Sequence, residues 1–276
     1  MNTAIMILVV MVGVGAVFGF VLAFANKKFA MEVNPLIEAV EDILPKGQCG
    51  ACGFAGCAKY AEAVVENPDV APNLCVPGKA EVAAKVAALT GKRAEAAEPH
   101  FAHLKCRGTQ TAAAAAYNYE GIHDCAAAKL IQGGPKGCKF GCIGFGNCVN
   151  ACPFDAMTMG EDGLPVVDKN KCTGCGKCAS TCPQGIIELL PFTAKVAVSC
   201  SSHDKGGDAR KKCTAACLGC GLCMRNCTHE AIKIDKFLAV VDPAICKDCE
   251  EPTCFAKCPT KAIEALVDAA KAEKSA

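Results

Sequence analysis

The spacing of cysteines constrains this chain more than any other feature. Cys172, Cys175, Cys178 and Cys182, followed by Pro183, read C-x2-C-x2-C-x3-C-P. In bacterial two-cluster sites of this pattern, three thiolates grip one [4Fe–4S] cluster and the fourth reaches across to its neighbour. A zinc site calls instead for two C-x2-C pairs separated by a longer loop. Disulfide frameworks belong to short secreted chains. The chain holds 24 cysteines in 276 residues, so the pattern must recur, and the thiols must dictate the fold around them.

An internal duplication organises most of them. Residues 138 to 190 repeat at 213 to 264. Val166-Val167-Asp168 ends four residues before Cys172, and Val240-Val241-Asp242 ends four residues before Cys246. An apolar anchor (Met157, Ile187, Ile232 or Ile263) stands five residues after the last cysteine of each block. The regularity predicts four half-modules of cysteine loop, helix and strand, two per ferredoxin-like domain. Crossed ligation then groups Cys152 with Cys172, Cys175 and Cys178. It groups Cys182 with Cys138, Cys142 and Cys148. In the second copy, Cys258 joins Cys217, Cys220 and Cys223, and Cys227 joins Cys246, Cys249 and Cys254. The first half-module departs from standard spacing, because Phe145 stands where the duplicate has Cys220. Cys138 is the expected substitute ligand.

Upstream, Cys49, Cys52 and Cys57 lie in a loop rich in glycine (Gly50, Gly53, Gly56), and Cys75 precedes Val76-Pro77-Gly78. We read these four cysteines as a separate [4Fe–4S] module, with a zinc site as the alternative. A helix is expected after Cys57, through Tyr60 and Val64. Four cysteines then remain: Cys106, Cys125, Cys200 and Cys213. One more cluster needs four ligands, so these are expected to form a sixth site from distant segments. The alternative is a set of buried, inert structural thiols. Five clusters are expected from spacing and a sixth from this count.

The N-terminus sets the location. Every residue from Ala4 to Ala25 is apolar, glycine included. As a helix the run would span about 33 Å, enough for a bilayer core. No basic residue precedes it and no clear small-x-small site follows, which argues against a signal peptide. Lys27 and Lys28 follow, which predicts that this end faces the cytoplasm and the short N-terminus lies outside. Numerous free thiols also require a reducing compartment. Gly15 and Gly19 form a G-x-x-x-G that would let another helix approach, or simply reflect the frequency of glycine in such helices.

The expected architecture is α+β: a single N-terminal transmembrane helix, a four-cysteine iron–sulfur module, then two tandem bacterial-ferredoxin-like domains. The boundaries are 1–28 for the membrane helix, 29–80 for the module, and 81–105 for a helix and linker. Residues 106–137 form an intermediate segment contributing ligands, 138–192 the first two-cluster domain, and 193–212 a connector. The second two-cluster domain runs 213–266, and 267–276 is a charged tail. An amphipathic helix is expected over Met31 to Leu44, with Val33, Leu36, Ile37, Val40, Ile43 and Leu44 at helical spacing.

Other classes of function find little support. The formal charge is +1, which makes no case for nucleic acid. No Rossmann fingerprint follows a strand, so no NAD is expected on this chain, and no flavin attachment site is visible. Tryptophan is absent and aromatics are scarce, so small domains filled by their clusters are expected. Gly174, Gly176, Gly219 and Gly221 fit backbone crowding a cluster, simple turn chemistry, or both. His229 breaks the Cys-Pro rule after Cys227 and is either solvent-exposed or a tuning group. His100 and His103 are spaced as ligands on one turn, but no vacancy calls for them. Lys205, Arg210, Lys211 and Lys212 would either steer an acidic partner or form a solvated loop. The run Ala112 to Ala116 is expected to pack as helix.

These residues together resemble the family of B subunits of the Rnf complex. The apolar N-terminal helix, the C-G-x-C-G-x-x-G-C module at Cys49 to Cys57 and the cluster-rich C-terminus carry the resemblance, which covers essentially the whole chain. The second ferredoxin pair and the extra cysteines Cys106, Cys125, Cys200 and Cys213 depart from the shortest members. The resemblance implies a subunit of a membrane-bound ferredoxin:NAD oxidoreductase that pumps Na+ or H+. It implies electrons accepted from soluble ferredoxin and passed to polytopic iron–sulfur or flavin subunits, with a NAD-binding flavoprotein subunit elsewhere in the complex. Spacing alone leaves two other readings: a membrane-tethered polyferredoxin serving another enzyme or regulator, and a non-redox metal scaffold.

Overall fold

The computed structural model describes residues 3–29, 34–94, 98–250 and 252–266. Met31 and Val33 of the expected amphipathic stretch, part of the expected linker before Pro99, and the charged tail 267–276 lie outside these residues.

The apolar run forms one helix, α1 (Thr3–Phe29), with Lys27 and Lys28 in its last turn. It is long and apolar enough to cross a membrane, and its described side chains are almost all exposed. A β-carbon at Gly15 or Gly19 would meet nothing within 4 Å, so the small-residue face is open to another helix.

Three helices build the next unit. In α2 (Pro35–Ile43), Asn34 Oδ1 caps the Leu36 amide at 3.0 Å and Pro35 supplies a preset first turn. Helix α3 (Cys57–Glu66) starts at a cysteine, as expected, and α4 (Lys79–Thr90) ends at Gly91 in the left-handed region, φ 70°. Val40, Leu44, Tyr60, Val64 and Val86 form their shared core. Burial of each large apolar side chain contributes roughly 1.5–3 kcal/mol. Tyr60 also donates to the Ala71 carbonyl at 3.0 Å, which ties the loop carrying Cys75 to α3.

The remaining chain is built from two-stranded antiparallel sheets. In sequence order the elements are β1 (His100–Leu104), α5 (Cys125–Lys129), α6 (Asn147–Asn150), β2 (Met157–Met159), β3 (Pro165–Val167), α7 (Lys177–Thr181) and β4 (Ile187–Pro191). Then follow β5 (Val196–Val198), α8 (Gly206–Lys212), α9 (Leu222–Arg225), β6 (Ile232–Asp235), β7 (Leu238–Val241), α10 (Pro243–Cys246) and β8 (Ile263–Ala265). Each of the four apolar anchors opens a strand: Met157 in β2, Ile187 in β4, Ile232 in β6 and Ile263 in β8. All four are buried, which explains their fixed offset from the preceding cysteine.

The two copies have the same topology. β2 pairs with β3 and β6 with β7 as inner hairpins. β1 pairs with β4, His100 opposite Pro191 through Leu104 opposite Ile187, and β5 pairs with β8. Thus β1 and β5 lie upstream of the expected boundaries at 138 and 213, yet each supplies the outer strand of its unit. Spacing of the cysteine blocks could not reveal this, because both strands precede the repeated segment. Many of the thiols belong to the two cores, among them Cys148, Cys172 and Cys178 in the first and Cys217, Cys223, Cys246 and Cys254 in the second.

Two expectations about secondary structure are corrected. Ala112 to Ala116 is not a helix but turn and bridge, with Ala115 paired to Lys136. Its backbone groups are engaged by distant chain: Ala116 N donates to the Pro135 carbonyl, Gly137 N to Ala114 and Thr214 N to Ala112. Small side chains permit that approach, and the long-range bonds outweigh the helix preference of alanine. His100 and His103 sit on strand β1, not on a helical turn. His103 is buried against Ser199 and Glu264, far from any ligand geometry.

Candidate metal centres

The thiols of the described residues assemble in six groups of four. Site A gathers Cys49, Cys52, Cys57 and Cys75 around one cavity. Gly56 sets its edge. At φ 110° a β-carbon there would collide with Gln48 Oε1, and that oxygen accepts the Cys57 amide at 3.0 Å.

Site B gathers Cys152, Cys172, Cys175 and Cys178. Burial first, with Cys172 and Cys175 adding, pushes the Cys178 thiol up to about 12. Burial also raises Cys175, and both Cys49 and Cys152 add to that rise. The Ala102 amide of β1 donates to Cys172 Sγ at 3.3 Å. The Thr173 hydroxyl donates to Cys175 and opposes the rise there.

Site C differs from the expected set. Its cavity is lined by Cys125, Cys142, Cys148 and Cys182, and Cys138 is not among them. Phe145, in the position of the missing cysteine, stacks on His123 with centroids 5.0 Å apart and packs on Tyr119. The segment folded over Phe145 thereby delivers Cys125. Asp124 caps α5 through the Ala127 amide and accepts from Asn147, whose Oδ1 in turn accepts the Cys125 amide at 3.1 Å. Asn147 opens α6, which carries Cys148. Cys125, far upstream in sequence, is thus clipped beside Cys148. The capping signature Asp124-Cys125 was the available sequence signal, and nearness of Cys138 along the chain was a misleading one.

Cys138 joins Cys106, Cys200 and Cys213 in lining site D. Cys217, Cys220, Cys223 and Cys258 line site E, and Cys227, Cys246, Cys249 and Cys254 line site F, the groupings that spacing predicts.

The residues fit an iron–sulfur cluster better than a single ion. Among the described residues no three His, Cys, Asp or Glu side chains could hold one metal ion, as zinc at about 2.3 Å from each sulfur would require. The thiols instead ring spaces between them. Backbone amides aim at sulfur, and the Thr173 hydroxyl is directed at Cys175 in site B. Burial raises Cys75, Cys148, Cys223 and Cys254 to about 11 and Cys142 to about 12. Bare thiolates are costly here, so ligation must release protons and supply compensating positive charge.

The glycines bear out the turn reading, and two of them also let another segment approach closely. Gly176 and Gly221, φ 76° and 70°, open α7 and α9, the helices that carry Cys178 and Cys223. At Gly174 and Gly219 a β-carbon would lie 2.5 Å from the His100 carbonyl and 2.6 Å from that of Phe237. His229 is exposed at the rim of site F. The basic run is no loop but largely helix α8, and Lys211 and Lys212 are paired with Asp208 and Asp204.

Adjacent sites share contacts in one order. Cys49 faces Cys175, and Gly47 packs on Phe154, between A and B. Cys148 of C adds to the charge felt by Cys178 of B. The Cys142 amide of C donates to Cys106 Sγ of D, and the Cys217 amide of E donates to Cys200 Sγ of D, both at 3.3 Å. E and F share the second core. The order is A, B, C, D, E, F.

Comparison with known proteins gives consistent matches. The 4Fe-4S dicluster domain family matches residues 141–186, and a family described as a putative Fe-S cluster matches residues 44–77. The chain is 62% identical over 267 residues to the B subunit of the proton-translocating ferredoxin:NAD(+) oxidoreductase complex of Clostridium ljungdahlii, covering 97% of this chain and 94% of that one. It is 43% identical over 256 residues to the B subunit of the ion-translocating oxidoreductase complex of Methanosarcina acetivorans (92% and 96%). It is 41% identical over 272 residues to the B subunit of the Na(+)-translocating ferredoxin:NAD(+) oxidoreductase complex of Acetobacterium woodii (98% and 81%).

Proposed function

This chain belongs to the family of B subunits of ion-translocating ferredoxin:NAD(+) oxidoreductase complexes, and on that premise we propose how it works as the electron-transfer subunit of such a complex. Twenty of its thiols, in sites A, B, C, E and F, are the ligands of five [4Fe–4S] clusters. The chain accepts electrons from reduced ferredoxin at the end of the series remote from α1 and delivers them through site A to membrane subunits. The observation that carries this reading is the serial order of the thiol sets, with site A the first of them after the apolar helix and α2 in sequence.

Each clustered thiolate would bind iron, and bound clusters would supply reversible one-electron chemistry. The chain's own residues do the rest. The Ala102 amide donates to Cys172 Sγ and so stabilises the negative charge gathered there. Met157, Ile187, Ile232 and Ile263 are buried beside the sites and help exclude water. α1 anchors the chain in the lipid with its N-terminus outside, and the thiol-bearing units lie on the cytoplasmic side. NAD and flavin are held by partner subunits, a polytopic set and a NAD-binding flavoprotein.

Reduction of anaerobically purified protein by stoichiometric reduced ferredoxin, followed by EPR, tests the reading. Expected are several reduced [4Fe–4S] signals, with the site F signal first. Colourless protein without labile sulfide, or a chain that reduced ferredoxin leaves oxidised, refutes it.

A further inference from the structure

Three polar side chains at the junction of the two ferredoxin-like units take no part in the sites described above. His103 comes from β1, Ser199 stands one residue past β5, and Glu264 lies in β8. We propose that they form a proton relay, which delivers a proton from water to His103 when site B or C takes an electron and withdraws it when the electron leaves. The proposal rests on the reading of B and C as clusters, and deepens it by supplying local charge compensation.

The geometry is that of a wire with one wet end. Ser199 Oγ donates to Glu264 Oε1 at 2.6 Å and lies 3.3 Å from His103 Nε2. The direct approach, His103 Nδ1 to Glu264 Oε1, is 3.8 Å, too long for a hydrogen bond. The hydroxyl is therefore the connection. His103 and Ser199 are 6% and 1% exposed, whereas the Glu264 side chain is 35% exposed. Arg107 holds Glu264 from the outer side, Nη1 to Oε2 at 3.4 Å.

The dry end lies between two of the sites. On β1, the Ala102 amide before His103 donates to Cys172 Sγ of site B, and Leu104 after it lines the cavity of site C. Cys106 follows β1 by two residues, as Cys200 follows β5. Glu264 and Glu188 of β4 favour a charged ring, as does a backbone hydrogen bond to Val198, while Lys169 opposes it. Lys105 pairs with Glu188 at 3.2 Å. Burial outweighs these pulls and keeps the resting ring neutral. Negative charge added at B or C acts on the ring through protein rather than water, and so tips the balance towards imidazolium.

The step balances. Reduced ferredoxin supplies one electron, and water supplies one proton to the Glu264 carboxylate. The Glu264 proton passes to Ser199 Oγ while the Ser199 hydroxyl proton passes to His103 Nε2. Glu264 is again a carboxylate, and His103 holds the added charge. Oxidation reverses each transfer. The proton enters and leaves by one face, so it offsets charge and crosses no membrane.

The test uses the full chain, purified without oxygen. Proton uptake on reduction is read with a pH indicator in weak buffer, and midpoint potentials are followed by EPR between pH 5.5 and 8. The unaltered chain is expected to take up protons on reduction, with one or more midpoints rising as pH falls. His103→Gln should abolish both effects at unchanged iron content. Ser199→Ala should slow proton uptake tenfold or more, and Ser199→Thr, which keeps the hydroxyl, should restore it. Unchanged pH dependence in His103→Gln, or an unchanged uptake rate in Ser199→Ala, overturns the proposal. If these variants do not fold, the unaltered chain decides: reduction without proton uptake anywhere in this range overturns the relay alone. A chain without labile sulfide overturns the reading of the sites as well.

Discussion

Gly174 offers the sharpest test of how β1 locks site B. Its φ is +71°, and a β-carbon would sit 2.5 Å from the His100 carbonyl oxygen. That oxygen cannot swing away, because β1 is paired to β4 along five residues and its Ala102 amide holds Cys172 Sγ. Gly174→Ala therefore carries two costs. Left-handed backbone costs an alanine roughly 1–2 kcal/mol. Forcing the strand away from the loop costs about 1–3 kcal/mol more, as for other overpacked sites. Gly185 isolates the first cost: its φ is +66°, but a β-carbon there would meet nothing within 4 Å. The assay is the rate of bleaching of cluster absorbance in guanidinium under anaerobic conditions, since cluster loss makes unfolding irreversible. If the extra 1–3 kcal/mol falls on the unfolding step, Gly174→Ala bleaches about 5- to 150-fold faster than Gly185→Ala. Equal rates would refute the argument that β1 presses on the ligand loop.

Other perturbations follow from single contacts. His103 is held below its ordinary pKa by burial, against the opposing pull of Glu264 and Glu188 and with Lys169 nearby. The folded chain keeps it neutral, while the unfolded chain takes a proton as pH falls through about 6.5. Stability is thus lost below that pH, and His103→Gln should flatten the rise in bleaching rate between pH 7.5 and 5.5; an identical pH profile would count against it. Asn147→Ala removes the acceptor for the Cys125 amide and a partner of Asp124; a loss of about 1–3 kcal/mol is expected, seen as faster decay of one EPR signal with the others intact. Lys136 places positive charge near Cys142 and Cys213; Lys136→Gln should lower the midpoint potential of an adjoining centre in a redox titration. A chain lacking residues 1–29 should leave the membrane fraction yet keep its iron, because α1 contributes no residue to the cores.

Much of this architecture can be read from spacing alone, and the reason is local. A ligand loop and the anchor five residues beyond it are joined by a short stretch of chain, so Met157, Ile187, Ile232 and Ile263 announce their strands. The apolar run forming α1 and the module around Cys49 are equally local. Spacing fails where partners come from far away. β1 and β5 carry no cysteine pattern, and only pairing with β4 and β8 shows that they belong to the units. Ala112 to Ala116 looks helical by propensity, yet its carbonyls and amides are engaged by residues near 135 and 214. The exchange of Cys125 and Cys138 has the same origin. Phe145 removes a ligand from the standard loop, and nearness in sequence names Cys138, whereas the Asp124–Asn147 clip brings Cys125.

That exchange also accounts for the surplus cysteine of the second copy. If Cys138 served site C, Cys213 would have no counterpart, and the two copies would differ at a position the duplication preserves. With Cys138 facing site D, the pair Cys138 and Cys213 becomes equivalent, as Cys106 and Cys200 already are. Only Cys125 then lacks an equivalent, and it compensates for the one position, Phe145, where the copies differ in a ligand. A duplication that kept both interface cysteines yields a shared site without any new motif. The irregular spacing of the first half-module and the leftover thiols are therefore two consequences of one arrangement. Restoring the standard ligand puts this to the test: in Phe145→Cys, the Cys125→Ala substitution should no longer cost site C its cluster. Loss of that cluster in the double variant would show that the Phe145 position cannot reach site C, and the compensation argument would fall.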